Sequence, residues 1–478
     1  MEQISIRKVA AWTGGRYEGP DLPVAGVTVD SRRVEPQNLY VPLRGPNFDG
    51  HSFLGEAFVS GAAAALADDP EAARLHRSLH HPVVLVRDTR RALGDLAAAY
   101  RKQLGYTVVA VTGSNGKTTT KEMILRVLGR SAVGSPNSYN NDVGVPLTLL
   151  SVRRHHSVCV VEVGTSAPGQ VAALAALARP DVSVVLNVGE SHLERLGDLD
   201  GVAREKFALV EALSEEGCAI LNYDDDHTRA MIEHAPGYVL SFGTWPAADV
   251  YAGDVKASFR KLSFRLYNRM LVRMSAFGIF NVHNALAATA VGLWLKREPE
   301  EIRRALEGFV PLPMRMTVEH VSGVRLIHDA YNANPRSTVA ALHEIRFRGG
   351  SGRRIAVLGD MLELGTQADE LHRRVGRAAA EARIDVLWAI GPLSQATSAA
   401  ARNAGLRNVF WSPTVKEALQ DPPFQVRRGD VVLFKASRLL RLERLHEAVR
   451  TDLSRREARR KKNAPRGARK SRRSSVRT

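Results

Sequence analysis

The stretch VVAVTGSNGKTTTKEMI, Val108 to Ile124, constrains this chain more than any other. An apolar, largely β-branched run at Val108–Val111 leads into glycines at 113 and 116, and the residues from Thr118 read as helix. A strand that feeds a glycine loop opening a helix is a phosphate cradle, because loop N–H groups and the positive end of the helix dipole converge on an anion. The candidate nucleotide-binding residues are therefore Gly113, Ser114, Asn115, Gly116, Lys117, Thr118 and Thr119. Lys117 is spaced to bridge β- and γ-phosphates, and the Thr118 hydroxyl is spaced to ligate magnesium. The loop departs from G-x-x-x-x-G-K-[ST] in one place: Val111 stands where the first glycine would be. A glycine turn with a solvated lysine is the plainer alternative.

At 478 residues the chain has room for about three domains, each with its own core. Its 44% hydrophobic and 24% charged residues are those of an ordinary globular protein. No uninterrupted apolar run approaches the roughly 20 residues of a membrane span, and MEQISIRKVAAW lacks the apolar core of a signal peptide, so a cytoplasmic location is expected. Cys159 and Cys218 have no metal-ligand spacing and read as reduced core residues. The net charge of +17 is unevenly spread: Ser454–Thr478 holds 12 Lys or Arg and one Glu, which is +11, leaving +6 for the rest. That tail reads as disordered, either an inert solvated extension or a segment in nonspecific polyanion contact, the first the plainer reading.

Composition shifts divide the chain into residues 1–98, 99–312, 313–453 and the tail 454–478. In the second part, buried-type strands at Val108–Thr112, Ser157–Val163 and Val182–Val188 alternate with helical stretches at Gly201–Leu213 and NVHNALAATAVGLWL. The alternation implies an α/β fold with a parallel sheet and crossover helices. It restarts after PLPMRM with VRLIHDA, RRIAVLGD, DVLWAIG and GDVVLFKAS, which predicts a second, smaller α/β unit.

A magnesium nucleotide needs oxygen or nitrogen ligands near the phosphate loop, and open α/β sheets gather them at the carboxyl ends of strands. Glu162 closes the strand SVCVVEVG, His192 follows the strand that ends near Val188, and Lys206 sits on the helix after Gly201. Taken alone, a strand-end Glu is more often a cap or ion pair, a loop His usually faces solvent and a helix Lys is usually a surface stem; their order behind a phosphate loop favours the functional reading.

The pieces TGSNGKTTTKEM, YNNDVGVPLTLL, EVGTSAPGQ, LNVGESHLERLGDLDGVAREKFALVEAL, FNVHNALAATAVG, MRM, DAYNANPRST, AVLGDMLELG and LFKASR together resemble the Mur ligases, which build peptidoglycan precursors. They reach across nearly the whole chain except the basic tail. DAYNANP and GDMLELG resemble the branch that adds D-alanyl-D-alanine to UDP-N-acetylmuramoyl-tripeptide, and the D-N-P-R of the branch adding the third residue is absent. VTVDSRRVEPQNLYVPLRGPNFDGHSF looks like the family's uridine-nucleotide domain. Three positions depart from the family pattern: Ala330 for serine, Ala436 for glycine, and QNLY where G-D-L-F is usual.

The resemblance implies a three-domain Mur ligase architecture: a UDP-substrate domain, a central parallel-sheet P-loop ATPase domain and a smaller Rossmann-like C-terminal domain that takes the amino acceptor. It implies an ATP-dependent ligase working through an acyl phosphate, with ATP and two Mg2+ ions and Lys117, Glu162, His192 and Lys206 as catalytic residues. Thr118 and Glu162 would hold one ion, and His192 and a carbamylated Lys206 the other. The resemblance carries over Asn284 to the adenine, Arg315 to the phosphates, Asp329 to the ribose, and Asn332 and Asn334 to the ATP-side loop. Ser31, Arg32, Asp49 and His51 are the candidates for the uridine diphosphate. Lys435, Ser437 and Arg438 lie after a strand and before a helix, where cations and helix N–H groups would meet the dipeptide carboxylate. The expected state is a monomer acting on small molecules. A sister amide ligase, a folylpolyglutamate-synthase-like enzyme or a nucleotide-binding scaffold are the other readings.

Overall fold

The computed structural model describes residues 1–348 and 352–463. The chain forms two compact units: Met1–Lys256 with Ser263–Met274 and Phe280–Phe309, and Ala257–Leu262 with Ser275–Ile279 and everything from Val310 on.

In the first unit the strands Gly26–Thr28, Asn38–Tyr40, Ala64–Ala67 and Val83–Leu85 form a parallel sheet in chain order. A nine-stranded sheet follows. Its order is Ala132–Gly134, Val158–Glu162, Thr107–Thr112, Val182–Val185, Cys218–Asn222, Tyr238–Gly243, Val250–Ala257, Leu262–Leu266 and Met270–Met274. The first seven run parallel. Thr107–Thr112, Val158–Glu162, Val182–Val185 and Cys218–Asn222, buried on both faces, read as continuous apolar runs because helices cover them from either side. The phosphate-loop strand Thr107–Thr112 lies between Val158–Glu162 and Val182–Val185, where the strand order reverses, and such a switch point leaves a crevice at the carboxyl ends.

The boundary expected at residue 98 falls inside one continuous helix, Thr89–Leu104. Asp88 caps it by accepting from Arg91 N, and Gly105 ends it in the left-handed region at φ 65°. Ala92, Leu93, Leu96 and Ala97 of this helix share one core cluster with Leu39 and Leu66 of the small sheet and with Val108 and Val161 of the large one. One apolar stripe serves both sheets, so composition shows no break where the sheets change.

The second unit is a six-stranded sheet. Thr317–Val321 pairs antiparallel with Val324–His328, and Val324–His328, Val431–Lys435, Arg354–Gly359, Val386–Ile390 and Val409–Ser412 follow in parallel. Its last helix, Glu443–Asn463, corrects the tail reading for residues 454–463. Leu453 is buried and the Ser322 hydroxyl donates to Glu457 at 2.7 Å, so packing holds a helix that composition alone does not favour. Residues 464–478 lie outside the described residues. No described helix is long and apolar enough to cross a membrane.

Candidate active site

The loop after Thr112 carries Gly113 at φ 151° and Gly116 at φ 86°, and a Cβ on Gly116 would sit 2.5 Å from Asn284 Oδ1. Both the backbone conformation and the close approach require glycine there. The helix Lys117–Leu128 starts directly afterwards, so its first N–H groups face the loop. Lys117 folds back and its Nζ donates to Gly113 O at 2.6 Å.

Glu162 ends its strand opposite Val111, which sets its carboxylate beside the loop. It is 1% exposed, accepts from Thr118 Oγ1 at 2.7 Å and from Asn140 Nδ2 at 2.9 Å. A buried carboxylate loses several kcal/mol of hydration, and neutral donors offset only part of that at about 1.5–3 kcal/mol each. The donor set, one carboxylate and one hydroxyl at a phosphate loop, therefore fits a hard divalent cation that completes its shell with water and phosphate oxygens. No cluster of three or more His, Cys, Asp or Glu is assembled among the described residues.

The structure overturns the surface-stem reading of Lys206, which is 2% exposed. Its neighbour Glu205 turns away, accepting from Gly169 N at 2.7 Å and Val171 N at 2.7 Å at the start of the helix Gln170–Ala178. Burial first, and the nearby Lys117 ammonium second, push the Lys206 amine down to about 7, with Glu205 opposing. His192 sits at φ 57° at the start of the short helix Leu193–Leu196. Its loop is stitched to the phosphate loop: Asn187 Oδ1 accepts from Asn115 N at 2.9 Å, and Gly189 N donates to Ser114 Oγ at 2.9 Å. Asn284 braces the loop from behind, accepting from Thr120 Oγ1 at 3.2 Å and donating to Asn281 Oδ1 at 3.0 Å. Asn140, Asn187 and Ser191, whose Oγ donates to Ser114 Oγ at 3.1 Å, had no role assigned from the sequence although they lie within YNNDVGVPLTLL and LNVGESHLERLGDLDGVAREKFALVEAL; small polar residues after strands are also what ordinary turns carry.

The amino-terminal candidates fall into two neighbourhoods. Ser31 reaches Glu56 at 3.5 Å, and the exposed Arg32 pairs with Asp30 at 2.8 Å. His51 is held by Asp49 at 2.6 Å and by Asp68 N at 3.2 Å, with Arg44 bonded to Asp68. The helix Leu54–Val59 packs against both turns.

In the second unit Lys435 Nζ pairs with Asp329 at 2.6 Å and donates to Asn332 O at 3.1 Å, so a residue expected at the acceptor is joined to one expected at the ribose. The Arg315 guanidinium stacks 3.9 Å from the Tyr331 ring centre. Asn334 caps the helix Pro335–Arg348 by accepting from Ser337 N at 2.9 Å. Ser437 Oγ accepts from Leu362 N at 3.0 Å, and Arg438 pairs with Glu443 at 2.7 Å.

Three family models match the chain in order: the Mur ligase family catalytic domain over 23–101, the Mur ligase middle domain over 111–292 and the Mur ligase glutamate ligase domain over 314–438. A UDP-N-acetylmuramoyl-tripeptide–D-alanyl-D-alanine ligase from Bacillus subtilis is 35% identical over 461 residues, covering 93% of this chain and 98% of its own. The chain belongs to the Mur ligase family. Among solved structures, this Mur ligase is similar to MurF from Acinetobacter baumannii, with a TM-score of 0.84 and 30% identity over 94% of this chain and 100% of that one. It is also similar to MurF ligase from Thermotoga maritima in complex with ADP, with a TM-score of 0.77 and 28% identity over 90% and 98%. The multi-domain α/β architecture with a central, mostly parallel sheet is that of these neighbours.

Proposed function

We propose that this Mur ligase is an ATP-dependent enzyme joining D-alanyl-D-alanine to UDP-N-acetylmuramoyl-tripeptide in peptidoglycan precursor synthesis. The observation that carries the reading is the near full-length likeness to the Bacillus subtilis ligase of that name, 93% of this chain against 98% of that one. The phosphate loop and the buried Thr118–Glu162 pair give it chemistry.

A carboxylate is a poor electrophile until one oxygen becomes a leaving group. The tripeptide carboxylate takes the γ-phosphoryl of ATP as ADP leaves, and the dipeptide amine then attacks the acyl carbon as phosphate leaves. Positioning and charge stabilisation supply most of the acceleration of such steps. Lys117 would neutralise phosphate oxygens; Thr118 and Glu162 would hold one magnesium, and His192 and a carbamylated Lys206 the other. Bound magnesium supplies charge neutralisation at the transferring phosphoryl group. An ammonium is no metal ligand, so Lys206 acts as a carbamate. Its neutral amine attacks carbon dioxide, the N–C bond forms and a proton is released. An amine pushed down to about 7 keeps a large neutral fraction near neutral pH, which supports this step.

Arg315, Asp329, Asn332 and Asn334 serve the nucleotide with Asn284, and Ser31, Arg32, Asp49 and His51 serve the uridine diphosphate. Lys435, Ser437 and Arg438 serve the dipeptide, with Lys435 acting through its pair with Asp329. Residues 1–98, 99–312 and 313–453 correspond to the substrate, ATP and acceptor parts, the first two sharing the helix Thr89–Leu104. The enzyme works in the cytoplasm as a monomer, and its basic end is a solvated extension open to nonspecific contact with polyanions.

Phosphate release from ATP is the test. It is expected to require magnesium, UDP-N-acetylmuramoyl-tripeptide and D-alanyl-D-alanine together; release that ignores the dipeptide overturns the reading. A panel of other amines separates the sister ligases.

A further inference from the structure

Lys121 stands one turn beyond Lys117 on the helix Lys117–Leu128, and its side chain is 0% exposed. A lysine is almost never fully buried unless its charge is matched. Here each N–H of the ammonium has a partner: Ser135 O, Asn137 O at 3.0 Å and the Glu122 carboxylate at 2.7 Å. Asn137 is in the left-handed region at φ 51°, a conformation uncommon for a residue other than glycine.

The segment so tethered is the one that frames the Thr118–Glu162 pair. Ser135 Oγ accepts from Glu162 N at 3.2 Å, Ser138 Oγ lies 3.3 Å from Thr118 Oγ1, and Asn140 Nδ2 donates to Glu162 Oε1 at 2.9 Å. The far end is fixed separately, with Gly164 N donating to Asn140 O at 2.8 Å and Asn141 Oδ1 accepting from Gly144 N at 2.9 Å. Removing the ammonium would leave the Ser135 and Asn137 carbonyls without a donor at the near end.

We propose that Lys121 is a positioning residue of the phosphoryl-transfer centre: it tethers the loop 135–140 so that Asn140 and Ser138 orient Glu162 and Thr118 toward the nucleotide's divalent cation. It acts on the metal ligands without touching metal or substrate. Outer-shell partners of this kind set ligand orientation, and losing one costs about 10–100-fold in metal affinity. The proposal rests on the reading of Glu162 and Thr118 as cation ligands.

The test is equilibrium binding of Mn2+ to the full chain in saturating ADP, followed by loss of the free-ion paramagnetic resonance signal, for the parent, Lys121→Met, Asn140→Ala, the double variant and Glu162→Gln. Lys121→Met and Asn140→Ala are each expected to weaken Mn2+ at least about 10-fold, and the double variant about as much as Lys121→Met alone, because both act along one path. Magnesium half-saturation of turnover should shift with them while KM for the tripeptide nucleotide stays within about twofold. Unchanged Mn2+ affinity in Lys121→Met or in Asn140→Ala overturns the proposal, as do additive effects. Should Lys121→Met fail to fold, Lys121→Gln, which keeps an uncharged N–H donor group, replaces it, and Asn140→Ala alone still decides. Unshifted Mn2+ binding in Glu162→Gln would instead overturn the ligand assignment beneath the proposal.

Discussion

Lys206 and Glu205 are adjacent, yet the fold gives them separate jobs: one carboxylate starts a helix and one amine is sealed beside the phosphate loop. An exposed lysine lost from a surface ion pair costs about 0–1 kcal/mol and nothing in rate. A buried lysine that supplies a metal-binding carbamate behaves differently. Lys206→Ala is expected to stay folded and to lose at least about 100-fold in kcat, the scale of removing a charge placed at a transferring phosphoryl group. Acetate or formate should restore part of that rate by filling the vacated position, and depleting carbon dioxide should slow only the parent. Steady-state kinetics on the purified variant decide it, and full activity of Lys206→Ala would remove the second metal site.

At the scale of elements, the strand Val324–His328 and the helix Glu443–Asn463 bring His328 and His446 into a parallel stack, with ring centres 4.0 Å apart. Neither Nε2 has a hydrogen-bond partner among the described residues. Burial pushes both rings down to about 4; Glu319, Glu443 and Asp329 oppose this at His328, as Glu447 does at His446. The native state therefore holds them neutral, whereas the unfolded chain protonates near 6.5. Stability is fully present above about 6.5 and is lost as pH falls toward 4, by on the order of 3 kcal/mol for a histidine so shifted. The urea midpoint of the second unit is expected to drop between pH 7 and pH 5, and His446→Phe should flatten that slope. An equal slope in the variant would exclude the pair as its source.

Over the whole molecule, charge and chemistry are segregated. The matched family regions end at residue 438, and +11 of the net charge of +17 lies beyond it, in Ser454–Thr478. Deleting residues 464–478, which removes six of the twelve Lys and Arg of Ser454–Thr478, is expected to leave kcat and KM within about threefold while clearly weakening salt-sensitive retention on a polyanion matrix, because retention follows the number of cations engaged. Loss of activity on this deletion would mean that the segment works with the enzyme. A cut at 454 is a different experiment, since it removes the last turns of the helix Glu443–Asn463 and the Ser322–Glu457 bond.

Local order determined the phosphate loop. A β-branched strand, two glycines and a lysine–threonine pair occupy consecutive positions, so their geometry follows from the chain itself. The α/β alternation was legible for the same reason: strands buried on both faces have no polar face to interrupt the run. Tertiary structure alone decided which lysines are buried, because Lys121 and Lys206 look like any helix lysine until residues 135–137 meet the first and the fold closes over the second. It also decided that Lys435 pairs with Asp329 across 106 positions and that one helix serves two sheets. Those outcomes depend on contacts between segments distant in sequence, and no local spacing records which segments will meet.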